Sequence, residues 1–595
     1  MGGTTWVYIM LGLYIIYCFY WGLKGYFTEK TSSGYAIAGR SIPFFAFLMA
    51  ATAASFSGWT FIGHPGLIYR DGLAYAFASF YVLTIPITGT FFSKRTWLMG
   101  KRYGFITPGD MYAYYYNTEA VRWLAVLTAF LYSMFYSAVQ LMASAALFHV
   151  IAGVPVTFGA IFMAFIVWFY VCTGGLKAST WVGVIQFILL VGGIIILGAY
   201  CLAHFDGWHG FAAQINALDK KFLEVPRVIN FGLGGAKGET AWTAVMILTY
   251  MFALMGIQSS PAFTMWTFGI KNPKPLAWQQ AFMSTFVVGF ALFYFTAFQG
   301  MGAKVLQLSG HPAFQAVNQA TVVPTLMKEF LPGVALGLVF MGAIAAIHST
   351  AAPYIGTGGS ILLRDVYYKY IRKEAGHAEQ IWVNRLLATF VTVAALVVGM
   401  SSKAALVILG ALATAFGFVM YVLLLGCLWG FRFPSIGATL GVLSGMVAVF
   451  LTYYVWPNPL SMHSAAWGTG SGLVVAYLCR GLGIKDSEET IKRQAEVRAF
   501  LDDIDAPSET GRKWRNAMKI LVPVWYFFAI GPACILGNHA FSFSGFTPLW
   551  SWQIAWWIAG IVMMWALAFK AEMATTNATQ IDRAEKETMI VVKEA

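Results

Sequence analysis

Runs of about twenty apolar residues, the length that crosses a bilayer core, recur along almost the whole chain, and their centres carry hardly any ionisable side chain. Water cannot be the solvent for that much apolar helix. Only 11% of the 595 residues are charged, against about 25% in soluble domains. The apolar windows give about fifteen spans, at residues 5–23, 43–69, 74–92, 123–151, 156–173, 181–203, 241–268, 280–301, 331–362, 386–400, 404–429, 435–456, 465–480, 518–537 and 550–569. The first run has no basic residue ahead of it and no small-residue cleavage pattern behind it, so it reads as a retained span.

A net charge of +13 would suggest nucleic-acid binding in a soluble protein. Here the basic residues sit at the ends of apolar runs, where they set orientation, and no nucleic-acid partner is expected. With the N-terminus outside, 30 of the 38 Lys and Arg fall on the cytoplasmic side. This predicts a multi-pass protein of the plasma (inner) membrane with an external N-terminus and a cytoplasmic C-terminus. On that orientation the sequon Asn577-Ala578-Thr579 lies in the cytoplasm and is unused. The six cysteines lie in or at the ends of apolar runs without metal-ligand spacing and read as small hydrophobes.

Polar residues at mid-membrane depth need a reason. The second span reads Ala51-Thr52-Ala53-Ala54-Ser55-Phe56-Ser57-Gly58-Trp59-Thr60, with His64-Pro65-Gly66 a turn later. The seventh reads Gly256-Ile257-Gln258-Ser259-Ser260-Pro261. Two interrupted helices five spans apart fit an inverted-repeat transporter, whose unwound backbone offers carbonyls to a cation and N–H groups to an anion. Close packing of small residues is the plainer explanation of each break. In the ninth span Ala346, Ser349 and Thr350 share one helical face. Carbonyls of Ala53, Phe56 and Ala346 with the hydroxyls of Ser349 and Thr350 make a five-oxygen set suited to a hard monovalent cation. Alternatively, the two hydroxyls bond back to carbonyls of the preceding turn.

Further motifs are Ala38-Gly39-Arg40-Ser41, Ser57-Gly58-Trp59 with Pro65-Gly66, and Thr173-Gly174-Gly175-Leu176-Lys177-Ala178 with Trp181 and Gln186. Ser349-Thr350 is followed by Asp365-Val366-Tyr367, and Ala415-Phe416-Gly417 lies in span 11. Over roughly residues 5–480 this combination resembles the sodium:solute symporters, which include sodium/proline and sodium/glucose transporters. The resemblance implies an all-α membrane protein with a LeuT-type inverted-repeat core, and sodium as the coupling ion at Ala53, Phe56, Ala346, Ser349 and Thr350. It also places solute beside the broken helices, making Trp59, Thr60, His64, Gln140, Gln258, Ser259 and Ser260 candidates. The chain departs from the family pattern at two positions. Trp181-Val182-Gly183 stands where an acidic residue is usual, and Ser55 stands where the proline carriers have Asp. Proton coupling through His64 or His348 is the alternative these departures raise.

The expected organisation is an N-terminal extra helix and loop (1–42), repeat one (43–203, spans 2–6), an extracellular segment (204–240) and repeat two (241–430, spans 7–11). Spans 12 and 13 (431–483), a cytoplasmic linker (484–517), two additional helices (518–570) and a cytoplasmic tail (571–595) follow. The expected activity is sodium-coupled symport of a small organic solute, an amino acid or a carboxylate, rather than an enzymatic reaction. The candidate solute residues are uncharged and thin in amides, whereas a carboxylate can rest on free N–H groups at a helix break. A channel would show a repeated filter loop or a ring of like charge, and neither appears. A transporter-like sensor working with a separate signalling partner is a further alternative.

Overall fold

A helix satisfies its own backbone polar groups, so a chain of apolar runs in lipid can only be a helical bundle. The computed structural model describes residues 2–233, 241–401 and 406–576 with Gln580, Ile581 and Arg583. Residues 234–240 of the outer segment, the sequon at 577–579 and most of the tail lie outside the described residues.

The N-terminal half runs α1 (Gly3–Thr28), α2 (Phe44–Ser55), α3 (Trp59–Asp71), α4 (Leu73–Tyr103), α5 (Pro108–Tyr116), α6 (Glu119–Ala152) and α7 (Val156–His204). Next come α8 (Ala244–Met255), α9 (Pro261–Gly269), α10 (Lys274–Leu308), α11 (Gly333–Ile371), α12 (His377–Ser401), α13 (Gly410–Trp429), α14 (Ser435–Val455) and α15 (Ser464–Gly481). The chain closes with α16 (Glu488–Ile504), α17 (Glu509–Ala529) and α18 (Pro548–Lys570).

Among the described residues, ten helices are each long and apolar enough to cross a membrane, and twelve if two bent pairs count as single spans. Fifteen spans result when α7 is read as two, α8 with α9 as one broken span, and α15 as one. The sequence places a loop at 174–180, where one helix instead gives way to the next across a kink at Gly175. Ser179 and Thr180 donate their hydroxyls back to the carbonyls of Gly175 and Leu176, which lets the helix restart at once. The direction change is confined to Gly175, at φ 60°, where a side chain would also strike the Tyr35 carbonyl.

On the side assigned to the cytoplasm, Arg122 of α6 bonds Asp110 of α5 at 2.9 Å and pairs with the buried Asp365 at the end of α11. The Asp-Val-Tyr motif thus ends as an anchor between three helices. A second ion cluster ties the C-terminal helices to the core. Asp505, just after α16, takes Lys94 and Arg95 of α4 at 2.8 Å each and Arg515 of α17 at 3.3 Å. Arg95 also lies 4.0 Å over the Trp429 ring at the end of α13. Higher up, α18 docks on α4 and α10. Gln553 donates to the Leu73 carbonyl at 2.9 Å, and the Trp557 and Trp550 indoles donate to the carbonyls of Thr285 and Phe293 at 2.8 and 2.9 Å.

Candidate functional site

α2 ends at Ser55 because Phe56 turns extended (φ −120°, ψ 95°), and α3 sets off at 53° to it. Two side chains occupy the backbone that the break frees. Ser57 Oγ accepts the Trp59 N–H at 3.2 Å, and Gln140 Oε1 on α6 accepts the Gly58 N–H at 3.0 Å. Glycine is required at 58, since a Cβ there would lie 2.5 Å from Ile347 Cγ1 on α11. The absent side chain lets α11 lie directly against the break.

That approach brings the oxygens together. Ser349 Oγ donates to the carbonyls of Ala53 and Ala346 at 3.0 Å each, and Thr350 Oγ1 reaches those of Ala346 and Ala54 at 3.3 and 3.4 Å. Both side chains are buried. Each hydroxyl bonds back to Ala346, as the plainer alternative has it, and also crosses to α2. The crossing partner of Thr350 is Ala54, which the sequence set omits, while Phe56 marks where the helix stops. Adjacent oxygens 3.0–3.4 Å apart subtend a right angle on a shell of radius about 2.3 Å, the size of a hard-cation coordination sphere. An all-oxygen set of carbonyls and hydroxyls, with no carboxylate, suits a single positive charge.

The second break joins α8 to α9 across Gly256–Ser260, with Pro261 opening α9 at a position that needs no N–H. Several carbonyls at and just before it accept hydrogen bonds. Ser259 Oγ donates to Gly256 and Gly417 at 2.9 and 2.6 Å, the Ser260 N–H donates to Ile257, and Met255 accepts the Gln258 N–H and the Tyr421 hydroxyl.

The seven solute candidates do not share one chamber. Trp59, Thr60 and Gln140 line an enclosed cavity of about 20 Å³, room for one water. Ser259 and Ser260 line a separate space of about 10 Å³. Tyr136 faces the first and Tyr132 the second, and with Tyr354 their rings pack at 5.0–5.4 Å into the partition. His64 and Gln258 line neither: His64 Nε2 pairs with Ser79 Oγ at 2.9 Å, and Gln258 donates to Ser93 Oγ at 2.9 Å.

The larger cavity is completed by residues the sequence reading missed. Tyr81 bonds Thr60, and Tyr250, Leu254 and Ile257 form one face of the seventh span. Ala411 and Thr414 come from α13. Helical spacing held a signal for some of these, since Tyr136 precedes Gln140 by one turn and Tyr250 precedes Leu254 by another. Among the described residues, no Asp, Glu, His, Lys or Arg lines this cavity. Gln140 Nε2 is a donor without a partner among the described residues, and its side chain is fully buried. Ser55, at the position of the proline carriers' Asp, lines the cavity, while Val182 is buried without a polar group.

Comparison with known proteins gives a consistent result. The model of the sodium:solute symporter family matches residues 35–445. The chain is 26% identical over 460 residues to a sodium/glucose cotransporter of Vibrio parahaemolyticus, covering 73% of this chain and 81% of that protein. To a sodium/pantothenate symporter of Haemophilus influenzae it is 22% identical over 496 residues, covering 81% and 98%. Among solved structures, a Na+-coupled sialic acid symporter in a substrate-bound outward-open state superposes with a TM-score of 0.68. Identity there is 16%, with 81% of this chain and 99% of that one covered. At that identity the likeness speaks to fold alone.

Proposed function

Because the chain belongs to the sodium:solute symporter family, we propose that it couples sodium entry to the uptake of a small monocarboxylate by alternating access. The observation that carries the ion assignment is the meeting of the Ser349 and Thr350 hydroxyls with the carbonyls of Ala53, Ala54 and Ala346 across the break. A cation held there draws α2 and α11 onto one centre. Its occupancy therefore depends on how those two helices stand to each other, and alternating access changes that relation.

A donor census supports the solute class. No carboxylate lines the cavity among the described residues, and Gln140 offers a spare N–H pair beside the Thr60 hydroxyl. Such a site has no anion to balance an ammonium group and has a donor to spare for a carboxylate. Val139, Leu254 and Ile257 supply an apolar wall for the rest of the molecule. Charge gives the coupling. A cation or a carboxylate alone in this dry interior is uncompensated, whereas together each offsets the other's desolvation. The cavity is too small for such a solute as it stands, so binding requires Trp59 and the tyrosines around it to move apart.

Proton coupling is the second reading, favoured by one observation. His64 and His348 each use one ring nitrogen in a hydrogen bond, to Ser79 and Tyr14, and keep the other without a partner among the described residues. Purified protein in liposomes, offered monocarboxylates, amino acids and sugars under imposed sodium and proton gradients in turn, tests both readings. Monocarboxylate accumulation driven by sodium alone is the expected result, and accumulation driven only by a proton gradient transfers the coupling to the histidines.

A further inference from the structure

The outer faces of α10 and α18 lie side by side toward the side that the charge asymmetry assigns to the cytoplasm, with Trp278 of one edge-on to Phe569 of the other at 5.5 Å. They leave a groove of about 630 Å³ between the eighth span and the last. Its walls are two apolar stripes. Trp278, Phe282 and Phe286 recur every fourth residue on α10, and Val562 and Trp565 face them from α18. Among the described residues, Lys570 is the one ionisable side chain lining it. Deeper in the membrane the two helices close up, the Trp557 indole lying where a Cβ on Gly289 would be 2.4 Å from its nitrogen.

The walls are exposed in the isolated chain: Trp278 by 48%, Val562 by 61% and Trp565 by 46%. At this depth the surrounding medium is lipid, so an acyl chain fills the groove. The mouth decides which lipid. Trp278 and Trp565 sit where an interfacial aromatic belt belongs, each about one turn from a lysine, Lys274 and Lys570. Lys570 Nζ lies 5.1 Å over the Trp565 ring and has no carboxylate partner among the described residues. That places an unneutralised ammonium at headgroup level above an apolar slot, the pattern that recognises a phosphate on an acyl chain.

We propose that this groove is a binding site for an anionic glycerophospholipid of the cytoplasmic leaflet, one acyl chain lying along Phe282 and Phe286 and the headgroup phosphate meeting Lys570. The site joins the core to the appended helix, so an occupied groove fastens α18 to α10 through lipid as well as through protein contacts.

The test uses the full-length protein purified in mild detergent. It is titrated with phosphatidylglycerol or phosphatidylcholine, and bound lipid is counted by native mass spectrometry. Lys570→Gln removes the charge and Val562→Trp fills the slot without touching it. Both positions are exposed, and a monodisperse elution profile checks that each variant is folded. Phosphatidylglycerol is expected to be retained over phosphatidylcholine by the wild type. Lys570→Gln should lower its affinity about fivefold, equivalent to the ~1 kcal/mol one lysine contributes at an anionic surface. Val562→Trp should lower retention of both lipids. Equal retention of the two lipids by the wild type, or phosphatidylglycerol binding unchanged in both variants, overturns the proposal.

Discussion

Replacing Ser349 with Ala and Thr350 with Val removes two oxygens from the proposed ion shell while leaving its carbonyls in place. Valine keeps the shape of threonine, so packing beside Ala54 is preserved. Two of the three carbonyls keep a partner, since Ala53 still accepts the Phe56 N–H at 3.2 Å and Ala346 lies inside α11, while Ala54 loses its bond to Thr350. In the ion-free protein the loss is therefore that of ordinary hydroxyl bonds, about 1 kcal/mol each. With sodium present each hydroxyl faces a charge, and such contacts contribute about 1.5–3 kcal/mol. Binding weakens by the difference between the two states, about 2.5 kcal/mol for the pair at the middle of that range, which is roughly a hundredfold. Two measurements follow from this figure. Half-saturation of uptake by sodium should rise by about that factor in proteoliposomes. Sodium at a hundred times the wild-type Kd stabilises the fold by about 2.7 kcal/mol, and in the variant the same concentration gives only ~0.4 kcal/mol. A double variant that is folded, transports, and keeps the wild-type sodium dependence in both assays removes these hydroxyls from the ion shell and refutes the geometry argued for symport.

Gln140→Glu keeps an acceptor for the Gly58 N–H but turns the spare donor into a negative charge, so it should abolish uptake of a monocarboxylate; an increase in the uptake of a cationic or ammonium-bearing solute would point to the opposite solute class. Gly58→Ala pushes a methyl to 2.5 Å from Ile347 Cγ1 and should cost about 1–3 kcal/mol of stability, partly recovered by Ile347→Ala in a thermal melt. Asp505→Asn leaves Lys94, Arg95 and Arg515 without their shared anion and should cost about 3–5 kcal/mol, read as a lower melting temperature and faster proteolysis within α16. Burial alone would raise the Asp505 carboxyl, but the three cations outweigh it and hold the group below its ordinary value. Its contribution is therefore complete above the unfolded carboxyl range and is lost as pH falls through the depressed folded value, so melting between pH 6 and 8 should show no step from this residue.

The spans were legible because apolar length is a property of the sequence itself. The breaks were legible because Ser57-Gly58 and Gly256 to Pro261 interrupt runs with no other reason to contain such residues. Ser349 and Thr350 could be placed opposite the first break because helical spacing put them on one face with Ala346. What failed to show was the division of five of the seven solute candidates between two spaces, with His64 and Gln258 in neither. That division depends on Tyr132, Tyr136 and Tyr354 packing together, three aromatics in a chain that is 17% aromatic, and only their meeting sets them apart. Ala54 was hidden for a different reason. Which carbonyl a hydroxyl reaches across a helix interface depends on register to within one residue, and spacing along one helix does not fix it. The run from Thr173 to Thr180 looked like a loop because two glycines and a lysine interrupt an apolar stretch, yet one glycine carries the entire bend.

Asp505 stands 410 residues from Arg95 in sequence and 2.8 Å from it in space. Lys94 and Arg95 are buried near the cytoplasmic end of α4, the neighbour of the broken second span, so any tilt of α4 during turnover must either drag the C-terminal helices with it or tear two cations from one carboxylate. The second course is far too costly to repeat every cycle. A fluorophore on the exposed face of α16 should therefore move in step with α4 although it lies remote from both ion and solute.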